Sequence, residues 1–431
     1  MMATPRPLAA LLLALVPTAL GATALGPAVR AEPANAAVPP TSDRREDVAP
    51  LDGRLAAFVA ELRPEALAAG VKPDLFERTL AGLSTDPTIL ELMARQPEHV
   101  MAPWDYLGRL VSETRIVEGR QKLAEHAAIL AEVEARYGVD RHVVVAIWGI
   151  ESSYGTAPGT RQVIRSLATL AVADPRRPAF WRQELLAALA IVQNGDIAAD
   201  RMSGSWAGAM GHTQFMPTSY LRHAVDFDGD GRRDIWQSVP DALASTASYL
   251  KRFGWQTGEP WGTEVLLPAG FDDRLLAARD PRPVAEWTAL GLTPPAGSDW
   301  PARLQPSALV LPAGLHGPAF LVAANFQTIL KYNNATLYAL AVGHLADRLA
   351  ARPALAAPWP TDDPPLDLAG RRELQQRLAA EGHPVGPVDG VIGDGTRGAI
   401  RAWQRSAGLR ADGWAGHRLL ERLRQASTTA P

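Results

Sequence analysis

Between Leu123 and Val133 the chain places apolar residues three and four apart, the spacing of one face of a helix. Tyr137-Gly138 supplies a stop for that helix, and Asp140 an N-cap for the next one, which carries the apolar run Val143-Val144-Val145-Ala146-Ile147. Helical periodicity fills the first half of a large region from Leu51 to about Arg352 and returns from Phe326 to Leu349. From Trp261 to Ala323 the pattern changes. Val265-Leu266-Leu267-Pro268 and Leu309-Val310-Leu311-Pro312 are short apolar runs bounded by Gly and Pro, which predicts strands of a small β insertion. Prolines at 353, 358, 360, 364 and 365 cannot continue a helix or sheet, so residues 353–365 are expected to link two domains, 51–352 and 366–425. In the second, Asp389-Gly390-Val391-Ile392-Gly393 recurs as Asp412-Gly413-Trp414-Ala415-Gly416, each copy ahead of a helical stretch. Asp-Gly favours a tight turn. The pattern as a whole predicts a mainly α chain of the α+β class.

Composition then narrows the setting. The 431 residues are 47% hydrophobic and 21% charged, which excludes wholesale disorder, and the net charge of -3 gives no reason to expect a nucleic-acid partner. Arg6 followed by the apolar stretch Leu8 to Leu20, with small-residue sites at Ala28-Val29-Arg30-Ala31 and Ala34-Asn35-Ala36, predicts a signal peptide over 1–36. Pro17 and the segment Gly21 to Pro27 weaken the alternative of a membrane span. An Ala- and Pro-rich leader is expected over 37–50. The chain has no cysteine, hence no disulfide and no lipid-modified cysteine; a secreted periplasmic or extracellular protein without a stable membrane anchor is expected.

Candidate chemistry begins at Glu151, in Trp148-Gly149-Ile150-Glu151-Ser152-Ser153-Tyr154-Gly155 at the end of the apolar run. Poor solvation there disfavours the carboxylate and keeps the acid protonated near neutral pH, the requirement for protonating a glycosidic oxygen. Alone, Glu151 reads equally as a satisfied helix-end carboxylate. Three clusters accompany it. Ser205 to Pro217 holds closely spaced glycines with the neutral hydrogen-bonding groups Ser205 and Gln214; Lys331 to Ala339 holds Tyr332, Asn333 and Tyr338; Trp104-Asp105-Tyr106 lies upstream. Singly, each also reads as a helix crossing or as core aromatics.

In combination, Glu-Ser-x-Tyr-Gly, Gly-Ala-Met-Gly-x-x-Gln-Phe-Met-Pro and Tyr-Asn-Asn-x-x-x-Tyr-Ala resemble the lytic murein transglycosylases, in particular the membrane-bound lytic transglycosylase B family, over nearly all of residues 51 to 350. The resemblance implies a lysozyme-like helical catalytic domain, with Glu151 as the single catalytic acid. It places Ser205, Gln214, Tyr249, Tyr332, Asn333, Tyr338 and Tyr106 along a substrate groove. It sets Arg176 and Arg177 toward peptide carboxylates of peptidoglycan; without it they read as a solvated loop pair. Missing the anchoring cysteine, the chain departs from the lipidated type. Glycosidases usually use two carboxylates. The family instead implies a substrate-assisted route that ends in a 1,6-anhydro ring, consumes no water and needs no catalytic cofactor. Two alternatives stay open, a hydrolytic muramidase and a non-catalytic wall-binding scaffold.

Asp226-Phe227-Asp228-Gly229-Asp230-Gly231-Arg232-Arg233-Asp234 sets acids at positions 1, 3, 5 and 9 and Gly at 6 of an EF-hand-type loop, which predicts a structural Ca²⁺ with Arg232 giving its carbonyl. Position 12 is Gln237, which cannot supply the bidentate carboxylate. The resemblance suggests Asp241 in its place, although Ser238-Val239-Pro240-Asp241 also reads as a capping box. Residues 366 to 425 resemble the three-helix peptidoglycan-binding domain, through Leu374-Gln375-Gln376-Arg377-Leu378, Val388-Asp389-Gly390, Thr396 and Ala402-Trp403-Gln404. The resemblance implies a tethered module that raises local substrate concentration. A generic protein-docking domain is the alternative.

Overall fold

The computed structural model describes residues 51–94, 101–276 and 280–429. The expected signal peptide and leader lie outside them. The architecture is mainly helical, with two small sheets. Among the described residues no helix is long and apolar enough to cross a membrane.

The Arg141–Ser152 helix is the centre of the large domain. Asp140 caps it, accepting from the His142 amide at 2.7 Å, and every residue from Val143 to Ser152 is buried. A run of β-branched residues is a weak helix former, so packing decides the conformation here. Full burial stabilises each of Val144, Val145 and Ile147 by roughly 1.5–3 kcal/mol. The helices Glu113–Glu125, Ala127–Tyr137, Val239–Arg252 and Thr336–Leu349 supply the walls.

One predicted helix is two. The periodic stretch from Leu123 to Val133 breaks at His126, which ends Glu113–Glu125 and begins Ala127–Tyr137. The His126 ring meets Trp148 edge-on at 5.6 Å, and the bend lets both helices lie on the buried one. Gly138 ends the second helix in the left-handed region, as the sequence predicts.

The β insertion is an antiparallel sheet in the order Gly262–Val265, Ala319–Val322, Ala308–Val310. Thr263 and Leu309 flank Leu321 in register. The first strand ends earlier than its apolar run: Leu266 leaves the sheet to pair with Thr293, and Pro268, which has no N–H, follows. Pro312 likewise divides the second run, opening the separate strand Pro312–Leu315. Val265, Phe271, Trp287, Leu292 and Leu321 give the insertion a small core of its own.

The C-terminal module packs the helices Leu368–Ala380, Asp394–Ser406 and His417–Thr429 around Leu374, Leu378, Ile400, Trp403 and Leu423. Its sequence echo is a structural one. Gln375 accepts from Gly390 N at 2.7 Å and donates to Asp389 at 3.3 Å; Gln404 accepts from Gly413 N at 2.9 Å and donates to Asp412 at 2.7 Å. Each Asp-Gly turn is thus clasped by a glutamine of a preceding helix, and both glycines have positive φ (80° and 74°).

The linker is held along its length. The Ala356 and Ala357 amides donate to Glu264, the Trp359 ring lies 6.3 Å from Trp104, and Pro365 bridges Gly416. The module is fastened to the insertion as well. The Ala411 amide donates to Asp273 at 2.8 Å, Leu315 N to Asp412 at 3.3 Å and Arg410 to Phe271 O at 3.2 Å.

Candidate active site

Glu151 sits in the last turn of the buried helix with 8% of its surface exposed. Oε1 accepts from Tyr338 Oη at 2.5 Å. Burial pushes its pKa up to about 7, and the Tyr338 hydrogen bond, which favours the carboxylate, opposes that rise. Tyr338 occupies the first turn of Thr336–Leu349 and is buried.

Further tyrosines surround the pair. Burial, then the nearby Glu151 charge, raises Tyr106 to about 12 and holds Tyr332 well above the usual phenol range. Burial alone raises Tyr249. The Tyr332 hydroxyl donates to Thr213 O at 2.6 Å, Tyr249 donates to Lys331 O at 2.5 Å, and their rings meet at 4.9 Å, with Phe215 against both. All these phenols are neutral donors at physiological pH. Asn333 ends the Ala324–Tyr332 helix, and its buried Oδ1 accepts no hydrogen bond from the described residues.

The Ser205–Pro217 loop lies against the end of the acid helix. Ser152 Oγ donates to His212 O at 2.9 Å, and the His212 ring stacks on Trp148 at 5.8 Å. Ser205 does not reach Glu151: its Oγ accepts from Ala209 N at 3.0 Å and closes the loop's first turn. Gln214 has φ 51° and donates to Pro158 O at 2.9 Å and Gly211 O at 2.8 Å, which holds an unfavourable backbone in place. Beyond the acid the chain reverses through Ser153 (φ 48°) and Tyr154 (φ 56°), folding the Tyr154 ring back onto Gly149. A Cβ at Gly149 would lie 2.5 Å from that ring, so this close approach requires glycine.

Arg176 and Arg177 precede the Pro178–Asn194 helix. Arg176 is exposed and paired with Asp174 at 3.0 Å; the Arg177 guanidinium lies 3.8 Å over Phe180. No described hydrogen bond, ion pair or ring contact joins either arginine to Glu151 or its tyrosines.

Among the described residues, the buried carboxylates other than Glu151 are all engaged. Asp174 binds Arg176 and Trp181, Glu184 caps the Pro217–His223 helix through Thr218, and Asp196 pairs with Arg233 at 2.6 Å. Asp234 accepts from the Trp236 and Gln237 amides. Asp241 accepts from the Phe227, Asp228 and Asp234 amides, tying both ends of the acidic loop.

In that loop carboxylate oxygens of Asp226, Asp228 and Asp230 lie within 4.8 Å of one another. Asp226 accepts from Gly229 N at 2.7 Å and Gly231 N at 2.9 Å, which curls the loop, and both glycines have positive φ. Three hard oxygen donors on a curled loop fit a calcium ion. Asp234 and Asp241 stand outside this cluster, their oxygens on backbone amides, and Arg232 pairs with Asp230 through its side chain.

Two families match the chain, the transglycosylase SLT domain over residues 54–347 and a peptidoglycan binding domain over residues 368–423. The membrane-bound lytic murein transglycosylase B of Escherichia coli K12 is 36% identical over 221 residues, which are 50% of this chain; the match spans only 58% of that protein's length. Among solved structures, SltB3 from Pseudomonas aeruginosa in complex with NAG-anhNAM-pentapeptide is 51% identical, with a TM-score of 0.82 over 86% of this chain and 99% of that one. Slt35 from Escherichia coli in complex with calcium is 28% identical, with a TM-score of 0.57 over 70% of this chain and 93% of that one.

Proposed function

This chain belongs to the transglycosylase SLT family, and from that premise we propose that it is a lytic transglycosylase acting on peptidoglycan in the periplasm. It cleaves the β-1,4 bond between N-acetylmuramic acid and N-acetylglucosamine. Glu151 first donates its proton to the glycosidic oxygen, and the N-acetyl carbonyl stabilises the charge developing at the muramyl carbon. Glu151, now a carboxylate, takes the proton of the muramyl 6-hydroxyl, whose oxygen closes the 1,6-anhydro ring. The proton count balances on one residue, and no water enters.

The observation that carries this reading is the buried Glu151–Tyr338 pair. An acid poised near pH 7 serves both halves of the reaction, and the Tyr338 hydroxyl steadies the carboxylate between them. The engagement of every other buried carboxylate among the described residues supports a single-acid route over hydrolysis. In this reading Asn333 Oδ1 accepts from the substrate acetamide, and Tyr106, Ser205, Gln214, Tyr249 and Tyr332 line the groove. Arg176 and Arg177 meet peptide carboxylates, and the C-terminal module holds the polymer. Mass spectrometry of murein digested in ¹⁸O-water is the test. Unlabelled 1,6-anhydromuramyl ends are expected; labelled, reducible muramyl ends would instead make the protein a muramidase.

A structural calcium ion at Asp226, Asp228 and Asp230 is part of the same proposal, supported by the convergence of those carboxylates and by the calcium complex of Slt35. Calcium at 100 times its Kd should stabilise the fold by about 2.7 kcal/mol. Thermal melts of the wild type should therefore rise with calcium concentration, and the double change Asp228→Ala, Asp230→Ala should remove the rise. A wild-type melt indifferent to calcium removes the ion from the picture.

A further inference from the structure

Arg115 breaks a local rule. It stands in the first turn of the Glu113–Glu125 helix, where the helix dipole disfavours a cation, and its amide donates to the Ser112 cap at 3.3 Å. The half-buried side chain compensates by reaching two other helix ends. Nη1 donates to Arg109 O at 2.9 Å and to Leu110 O at 3.0 Å, and Nε donates to Gly149 O at 3.1 Å. The first two carbonyls close the Pro103–Leu110 helix, where the helix itself offers them no donor, and the third lies in the last turn of the acid helix. A cation is favoured at both of these C-terminal ends. The Arg115 carbonyl in turn accepts from Tyr154 Oη at 2.8 Å. One residue thus holds the chain two positions before Glu151 and three positions after it.

This clasp bears on Tyr106. That residue lies one turn from the clasped end of the Pro103–Leu110 helix, and the Glu151 charge acts on its phenol. The same helix packs on Thr336–Leu349, which carries Tyr338. We infer that Arg115 is a positioning residue for the reaction: by joining the Tyr106 helix to the acid helix, it sets the spacing of Tyr106 and Glu151 across the groove. The inference rests on the groove proposed above and adds to it a residue that works through its neighbours.

The test is a double-mutant cycle on the cleavage of glycan strands, counting released ends of either kind. Arg115→Lys keeps the charge but has no fork to span both helix ends. It should lower kcat/KM roughly tenfold, a size ordinary for coupled neighbours. The loss should lie in KM, with the pH midpoint of kcat unmoved. Tyr106→Ala should lose at least as much, and the double variant should be no worse than Tyr106→Ala alone, because the arginine then has nothing to place. Losses that multiply, a loss confined to kcat, or a shifted midpoint overturn the proposal. Should Arg115→Lys fail to fold, Ser112→Ala decides: it keeps the guanidinium, loosens the turn that carries it, and should raise KM less but with the same dependence on Tyr106. A wild-type KM in that variant overturns the proposal. A second arm does not depend on cleavage. A trisaccharide of N-acetylglucosamine is titrated calorimetrically into the full chain, and binding should weaken in Arg115→Lys but not further when that change is added to Tyr106→Ala. Equal binding by all four proteins, or none by the wild type, overturns the role. Release of reducing ends, or no cleavage, counts against the transglycosylase reading and leaves the titration to decide Arg115.

Discussion

Glu151→Gln should lower murein cleavage by roughly two to four orders of magnitude while sacculus binding persists. The amide keeps the shape of the side chain and can still accept from Tyr338, but it has no proton to give or take. The same change should raise stability at alkaline pH. Burial raises Glu151 to about 7 in the folded protein, well above its unfolded value, so its contribution is intact below the unfolded pKa and is lost as pH rises through about 7. Above that pH the wild type carries a buried carboxylate at a cost on the order of 3 kcal/mol, which the neutral amide avoids. The variant should therefore melt above the wild type at pH 8.5, with the difference vanishing near pH 4. Digestion at the wild-type rate would remove Glu151 from the mechanism. Identical melts at both pH values would show that the carboxylate is not desolvated.

Tyr338→Phe should leave a folded protein whose kcat falls roughly ten- to a hundredfold. A hydrogen bond to a charged partner contributes about 1.5–3 kcal/mol, and this one acts when Glu151 is ionised. The signature that separates positioning from general damage is the pH profile. Wild-type activity should fall as pH rises through about 7, where the acid loses its proton. The Tyr338 bond lowers that pKa, so its loss should move the midpoint upward while the maximum drops. A lower rate with an unmoved midpoint would mean that Tyr338 supports the fold rather than the acid.

How far the site was legible in the sequence depends on the range of each contact. The environment of Glu151 could be read because the apolar run that desolvates it lies immediately before it on the same helix. Its partner could not be read from local chemistry. Tyr338 is 187 positions away, and its motif suggested a sugar-facing ring rather than a hydroxyl on the acid. The Ser205 hydroxyl is held by its own loop, while Ser152, adjacent to the acid, makes the contact between helix and loop. The break at His126 was hidden because both sides of it keep one apolar periodicity and only packing on Trp148 separates them. Ala319–Val322, the central strand of the insertion, lies in an apolar run that continues through Ala323 into the next helix, so periodicity alone does not separate the two. The Asp-Gly echo was visible in the sequence, but the use of the second copy as a fastener to Leu315 was not.

The pinned linker also changes what a wall-binding module does for its enzyme. On a loose tether, capture of the polymer leaves the catalytic domain to find a bond anywhere within the linker's reach, and the gain is a local concentration. Here Glu264 and Trp104 hold the linker, and Asp273 and Leu315 hold the module, so the offset between the gripping surface and Glu151 is set by the fold. Under the proposed function, a strand held by the module is presented to Glu151 at that fixed offset. Under the same proposal, the lengths of the fragments released should carry the period of that offset.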